Sequence, residues 1–550
     1  MDNEIPLGKR TRKYRFFERV PAIVSYGAII ALVVLSIVSP VLAAAYLLVV
    51  ILSMFIKIFG ITYHMIVGRS RMDKVSVLNW SKRLADLEDP TASYDRLSSR
   101  RGLNEVGLSQ HLENLRLMAA AEDGFFPKPS QVYNALIIPA YNEPYDVIEP
   151  ALRSVIDTTY DKKRMIVVFA YEERGGKDIK ETAERLKKEF GSHFYAFEAV
   201  EHPKGIPDEV VGKGGNITYS GRWLQEYLVQ QDIPFKDVIV TTMDCDNKPH
   251  KSYFDYLTYE YIVREDRKHL SYQPVCLFTN NIWDVPAPMR VIATGNSFWN
   301  IISSMRPHAL RNFASHAQPM DALVEMDFWS VRTIVEDGHQ YWRSYFHFGG
   351  NYEVVPLHVP IYQDAVLSSS YKKTLKAQFV QLRRWAYGAS DVPFVAVRVF
   401  SRQRNVPFWA GFTRFVRLLD GHVTLACVSI LVAFGGWVPL ILNGEAARSV
   451  AVHQLPDIVS LLQRIAMIGL AVAIFMSFKL LPPKPERYKK SRNILMLLQW
   501  VLMPVTAIVY NSAAAFYSQT RLFFGRYLDR FDVTEKIAAD KLPNPRKKKK

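Results

Sequence analysis

Val238-Ile-Val-Thr-Thr-Met-Asp-Cys-Asp246 reads as a short buried strand that ends on two carboxylates. Outward from it the pattern repeats. Ala135-Leu-Ile-Ile-Pro-Ala-Tyr141, Met165-Ile-Val-Val-Phe-Ala-Tyr171 and Phe194 to Val200 are further apolar runs, and Val147 to Thr158, Lys177 to Phe190 and Asn216 to Val229 read as helices between them. Strands alternating with helices predict an α/β fold with a mostly parallel sheet. In such sheets ligands gather at the carboxyl ends of strands. The polar residues fall there: Asn142-Glu143 ends the first strand, Glu172-Glu173 the second, and Asp244-Cys245-Asp246 the fourth.

The flanks of this region are apolar. Pro21 to Ile56 contains no charged residue. At about 1.5 Å per residue it would make roughly 54 Å of helix, against about 30 Å of hydrocarbon, so it suits two spans. Pro40 stands where the turn between them falls. The basic start and Ala43-Ala44-Ala45 imitate a secretory signal, but the apolar run continues past them, which favours an uncleaved two-helix anchor. Gly421 to Asn443, Val459 to Phe478 and Ile494 to Thr520 are three more apolar stretches. Arg464 lies near one end of the second, where it can snorkel to the interface. Pro504 could divide the third into a re-entrant pair.

Lys and Arg are dense in the N-terminal residues, in Arg398 to Arg417 and in Lys484 to Arg492, whereas Gly444 to Asp457 has only Arg448. Basic loops face the cytoplasm, so the large middle region is expected there too, in a multi-pass protein of the plasma (cell inner) membrane. The formal net charge is +16. On a soluble protein this would suggest nucleic acid. Here the cations flank apolar spans, so lipid headgroups are the expected partner and nucleic acid is not. Cys245, Cys276 and Cys427 are scattered without metal-binding spacing, as in a reduced compartment.

Asp244 and Asp246, one residue apart at a strand end, can both reach one hard cation such as Mg²⁺ or Mn²⁺, or can be solvated loop carboxylates. Glu336-Asp337 offers a carboxylate that could serve as general base, or merely a polar helix start. Gly212-Lys213-Gly214-Gly215-Asn216 opens a helix as an anion site or a flexible turn, and its spacing is not that of a P-loop. Gln381-Leu382-Arg383-Arg384-Trp385, near the second set of apolar segments, combines an amide, a guanidinium and an indole suited to an anion and a sugar. It also fits an amphipathic surface helix.

In order and spacing these pieces, with Phe531-Asp532-Val533-Thr534-Glu535-Lys536, resemble the processive members of the family-2 glycosyltransferases, the group holding bacterial cellulose, chitin and hyaluronan synthases. The likeness runs from about Asn134 to Lys536 and includes Ile138-Pro139-Ala140-Tyr141-Asn142-Glu143. It implies a GT-A nucleotide-sugar-binding fold and a membrane hexosyltransferase that is inverting and metal-dependent. The donor would be a nucleotide sugar, expected to be uridine-linked, and the acceptor a growing β-linked glycan. By the same resemblance Asp244 and Asp246 hold Mg²⁺ or Mn²⁺ on the diphosphate and Asp337 deprotonates the acceptor. Arg384 neutralises the diphosphate and Trp385 stacks under the acceptor sugar. Glu336, Gln381 and Arg383 join the substrate site. Phe531, Val533 and Thr534 belong to a cytoplasmic gating loop, which makes Ile494 to Thr520 re-entrant. Apart from the resemblance, Glu172 or Glu173 could contact the nucleotide base or ribose, and Lys213 belongs to the candidate anion site.

The chain departs from the family in two ways. Where many members have Asp-Asp-Gly-Ser it has Glu172-Glu173-Arg174-Gly175, and its spans are few for a polymer channel. Two other functions therefore stand beside polymer synthesis: addition of one sugar to a lipid carrier, and a non-catalytic sensor that binds nucleotide or glycan. The expected division is an N-terminal pair of spans over 1–66, a helical connector over 67–130 and the GT-A domain over 131–365. Interfacial helices follow over 366–417, the C-terminal membrane or re-entrant region over 418–522, and a gating segment with a polybasic tail over 523–550.

Overall fold

The computed structural model describes residues 3–99, 105–444, 450–489 and 491–530, in two compact units. The expected gating residues Phe531, Val533 and Thr534 lie outside the described residues.

The first unit comprises residues 3–5, Val67–Phe278 and Trp299–Asp364. Its core is a sheet of eight strands: β1 (Tyr133–Ala140), β2 (Met165–Glu172), β3 (Ala196–His202), β4 (Val238–Thr242), β5 (Lys248–Pro249), β6 (Leu270–Leu277), β7 (Ala317–Pro319) and β8 (Glu353–Tyr362). They lie in the order β3-β2-β1-β4-β7-β6-β8-β5. β1 pairs in parallel with both β2 and β4, and β2 with β3. β7 runs antiparallel between β4 and β6. The fold is thus α/β with a mostly parallel sheet. The chain winds outward from β1 to β3, then crosses back to β4 on the other side of β1. That reversal opens a crevice at the carboxyl ends of β1 and β4.

β1 and β2 are buried on both faces, which explains their unbroken apolar runs. The helix Tyr145–Ile156 covers one face with Val147, Ile148, Ala151, Leu152 and Val155, the spacing of a single helical stripe. The helix Lys213–Gln230 covers the other face through Ile217, Leu224 and Leu228. β3 begins two residues later than expected, because Phe194 closes a turn on Gly191.

Two boundaries differ from the sequence expectation. The connector is part of the core: Trp80, Leu84, Leu87, Leu97 and Leu115 are buried, and Trp80 stacks on Tyr256 at 4.0 Å. Thr279–Phe298 leaves the expected 131–365 domain and belongs to the second unit. There Arg290 donates to the Gln499 side chain, Trp283 Nε1 donates to the Pro482 carbonyl at 3.0 Å, and Phe298 stacks on Trp500.

The second unit holds Pro6–Ile66, Thr279–Phe298 and the described residues between Ala365 and Arg530. Among the described residues five helices are long and apolar enough to cross a membrane: Arg12–Val38, Pro40–Ser76, whose last turns pass into the first unit, Phe408–Leu442, Leu455–Leu480 and Arg492–Phe524. Ser39 caps the first, and Pro40 opens the second. The start of the first helix meets the approach to the third, where Lys13 donates to the Phe400 carbonyl at 2.8 Å. The far ends of the same two helices meet where Asn443 Nδ2 donates to the Ile37 carbonyl at 3.1 Å. These two helices therefore run side by side in one direction. Arg492–Phe524 does not divide at Pro504 into two halves. Helical backbone continues through Pro504, tightened to a 3₁₀ turn at Gln499–Leu502 just before it and widened to a π-helical turn at Ala507–Ser512 just after it.

Candidate active site

The crevice in the first unit is built by three chain segments. After β4, the Met243 amide donates to Ile137, which extends the ladder one residue beyond the strand. The Cys245 thiol then turns inward and donates to the Pro139 carbonyl of β1 at 3.0 Å. That bond ties the Asp244-Cys245-Asp246 turn to β1. The Asp246 carboxylate, almost wholly buried, accepts the Asp364 amide at 3.0 Å. Asp244 is one-third exposed.

The second segment is the start of Lys213–Gln230. Asn216 Nδ2 donates to the Ala170 carbonyl at 2.8 Å and so pins the helix start to the end of β2. Gly214 is needed for close approach: a Cβ there would lie 2.3 Å from the Ser330 carbonyl oxygen. With its backbone fixed, Lys213 projects its ammonium into the crevice, 3.0 Å from Asp244 Oδ1, 3.0 Å from Asp337 Oδ2 and 3.7 Å from Glu336 Oε1. Burial alone would drive off its proton, but Asp244, Asp337 and Glu336 together outweigh burial and hold it more tightly than usual.

Glu336 and Asp337 form the first turn of the third segment, the helix Glu336–His347, where carboxylates suit the positive end of the dipole. Behind Asp337 lies His316, fully buried, with Nδ1 3.7 Å from Asp337 Oδ1. His316 Nε2 accepts the Trp329 indole N–H at 3.0 Å, so the proton sits on Nδ1, which faces the Phe313 carbonyl at 2.9 Å. Burial lowers its proton affinity and keeps the ring neutral.

The expected residues thus divide into groups. Lys213, Asp244, Glu336 and Asp337 converge, and Asp246 stands on the same turn as Asp244. Glu172 and Glu173, at the end of β2, are both engaged. Glu172 is held by Arg174, whose guanidinium also lies over the Tyr141 ring at 4.9 Å. Burial raises the Glu172 pKa against that pairing. Glu173 accepts the Lys204 amide at 2.9 Å, which lowers its own pKa. Gly175 leaves no room for a side chain: a Cβ there would lie 1.8 Å from the Tyr141 carbonyl oxygen.

Gln381, Arg383, Arg384 and Trp385 belong to the second unit, on the helix Tyr371–Ala386, which Ser370 caps. Gln381 and Trp385 are one turn apart on one face. The Arg383 carbonyl accepts from Ser518 at 2.8 Å, its guanidinium lies over the Tyr517 ring, and Trp385 is 39% exposed.

His316 and Trp329 were not foreseen, nor were the bonds that tie Arg174 to Glu172 and Asn216 to β2. Asn216 was within reach, since it ends the glycine-rich run. His316 carries no local signal, because β7 is short and its neighbours come from distant segments.

Among the described residues no three His, Cys, Asp or Glu side chains form a metal-binding group. Asp244 and Asp246 still suit a hard cation, because a magnesium or manganese ion takes few protein carboxylates and fills its shell with phosphate and water.

No protein-family model matches the chain, and no curated protein matches its sequence. Solved structures do. A mannosyltransferase, PcManGT from Pyrobaculum calidifontis, in complex with GDP-Man and Mn²⁺, is 14% identical, with a TM-score of 0.37 over 78% of this chain and 98% of that one. TarS 1–349 of S. aureus with UDP-GlcNAc is 13% identical, with a TM-score of 0.34 over 73% and 94%. GalNAc-T7 with UDP, GalNAc and Mn²⁺ is 10% identical, with a TM-score of 0.32 over 53% and 58%.

Proposed function

We propose that this chain is a membrane glycosyltransferase that moves a sugar from a nucleotide-sugar donor to an acceptor hydroxyl with inversion at the anomeric carbon. The observation that carries the reading is the crevice where Lys213 bridges Asp244 and Asp337. One carboxylate lies at the strand end where a diphosphate binds, and the other lies one lysine away on a separate helix. A donor-side and an acceptor-side acid are thereby brought to a single cation.

Asp244 and Asp246 would hold a divalent ion, which supplies charge neutralisation for the diphosphate. Asp337 takes the proton of the acceptor hydroxyl, whose oxygen bonds to the anomeric carbon as the bond from that carbon to the diphosphate oxygen breaks. Lys213 exchanges its carboxylate partners for the more highly charged diphosphate, which releases Asp337 to act as base. His316 stands behind Asp337 with its Nδ1–H held by the Phe313 carbonyl, and its ring limits where the carboxylate can settle. Arg384 and Trp385 serve the leaving group and the acceptor sugar, as the resemblance to polysaccharide synthases implies. The active site faces the cytoplasm of the cell inner membrane, and the acceptor is a growing β-linked glycan.

Incubating membranes that contain the chain with labelled nucleotide sugars and sizing the product tests this. A polymer supports the full reading. One labelled sugar on a lipid restricts it to carrier glycosylation. Absence of transfer from every donor, with nucleotide still bound, would favour a sensor.

A further inference from the structure

The mechanism leaves unused a buried ion pair in the first unit. Arg343, on the helix that begins with Glu336 and Asp337, is 2% exposed. Its guanidinium donates to the Met326 carbonyl at 3.0 Å, to Gln340 Oε1 at 3.1 Å and to the Phe328 carbonyl. The carboxylate facing it comes from the other end of the sequence: Glu4, 2.9 Å away. The Asn3 carbonyl accepts from Arg343 Nε at 3.1 Å, and Ile5 is buried beside it.

Glu4 also accepts the Ser330 hydroxyl at 2.5 Å. Ser330 is the residue whose carbonyl rests on Gly214, next to Lys213. The segment between Met326 and Ser330 is strained, since Asp327 and Phe328 both have positive φ, at 54° and 57°. Trp329, which fixes the His316 tautomer, lies in the same segment. One carboxylate thus holds both a strained loop that abuts the Lys213 helix and the arginine of the helix that presents Asp337.

We infer that Glu4 is a positioning residue for the proposed transfer: residues 3–5 are a built-in clamp that sets Asp337 and Lys213 against each other. The inference rests on the function proposed above. A buried arginine that loses its carboxylate keeps an uncompensated charge, left on Gln340 and on the Met326 and Phe328 carbonyls of the strained loop.

The test uses the full chain in native membranes or nanodiscs. Glu4→Gln should lower kcat about tenfold, with donor KM changed by no more than about twofold. Glu4→Asp, which keeps the charge, should recover most of that loss. Hydrogen exchange should quicken in the 326–337 peptide of Glu4→Gln and stay as in the parent in β1 and β2. Parent-like kcat and exchange in Glu4→Gln would overturn the clamp. So would an equal fall in kcat and donor affinity with faster exchange throughout the sheet, which marks a role in stability alone. If the parent chain transfers no sugar, the functional reading fails, while the exchange comparison still judges the clamp.

Discussion

Lys213 lies closest to the carboxylates on which the proposed chemistry turns, and its contacts argue for two different substitution outcomes. Asp337→Asn keeps the shape and removes the base. Turnover should fall by about 10²–10⁴-fold, the usual contribution of general-base catalysis, with donor binding retained. Single-turnover assays with labelled donor separate the two quantities. His316 backs the same carboxylate at 3.7 Å, while its Nδ1–H is held by the Phe313 carbonyl. His316→Leu should lower kcat about tenfold, and His316→Asn, which can present an N–H near the Nδ1 position, should recover part of it. If Leu and Asn behave alike, the ring only fills space. Asp244 and Asp337 were legible in the sequence because carboxylates at strand ends and helix starts are local features. The link between them was not, since Lys213 joins residues far apart in sequence, and a glycine-rich turn with a lysine has many ordinary uses.

The start of Lys213–Gln230 is the element whose placement decides whether Lys213 reaches the crevice. It approaches the Ser330 carbonyl so closely that Gly214→Ala would put a Cβ 2.3 Å from that backbone oxygen. Backbone on both sides leaves no flexible side chain to yield. Gly214→Ala should therefore withdraw Lys213 and abolish transfer, whereas Gly295→Ala, which meets nothing within 4 Å, should leave activity near that of the parent. Transfer assays on the two variants at matched expression check this. At this scale the sequence read well where periodicity was strong, as in β1, β2, β4 and the helices between them. It read poorly at Gly68 to Lys128, where polar residues outnumber the buried Trp80, Leu84 and Leu115 that tie the connector to the sheet. It also misjudged Thr279–Phe298, whose helix has the composition of a domain helix and whose partners, Pro482, Gln499 and Trp500, come two hundred residues later.

For the whole molecule the open question is on which side the described chain ends. Among the described residues five helices have the length and composition to cross, and an odd number of crossings would put the first and last described residues on opposite sides. Contacts within the second unit argue otherwise. Arg15, in the first turns of the first helix, donates to the Leu522 and Phe523 carbonyls at 3.1 and 3.0 Å and to the Tyr527 hydroxyl at 3.0 Å. Glu18, fully buried in that helix, accepts from Arg10, Arg15 and Tyr527. The end of Arg492–Phe524 is therefore on the side where the first helix begins, and its approach from Lys484 to Arg492 is as basic as the other inner loops. We expect four crossings, with Arg492–Phe524 lying along the inner interface. The three native cysteines are buried, so single introduced cysteines report the sides cleanly. With a membrane-impermeant maleimide, Glu88→Cys and Asp529→Cys should label only in inside-out vesicles, and Gly444→Cys only in right-side-out ones. Labelling of Asp529→Cys together with Gly444→Cys would mean that the last run crosses. The residues beyond Arg530 could then not cover a nucleotide site on the inner face.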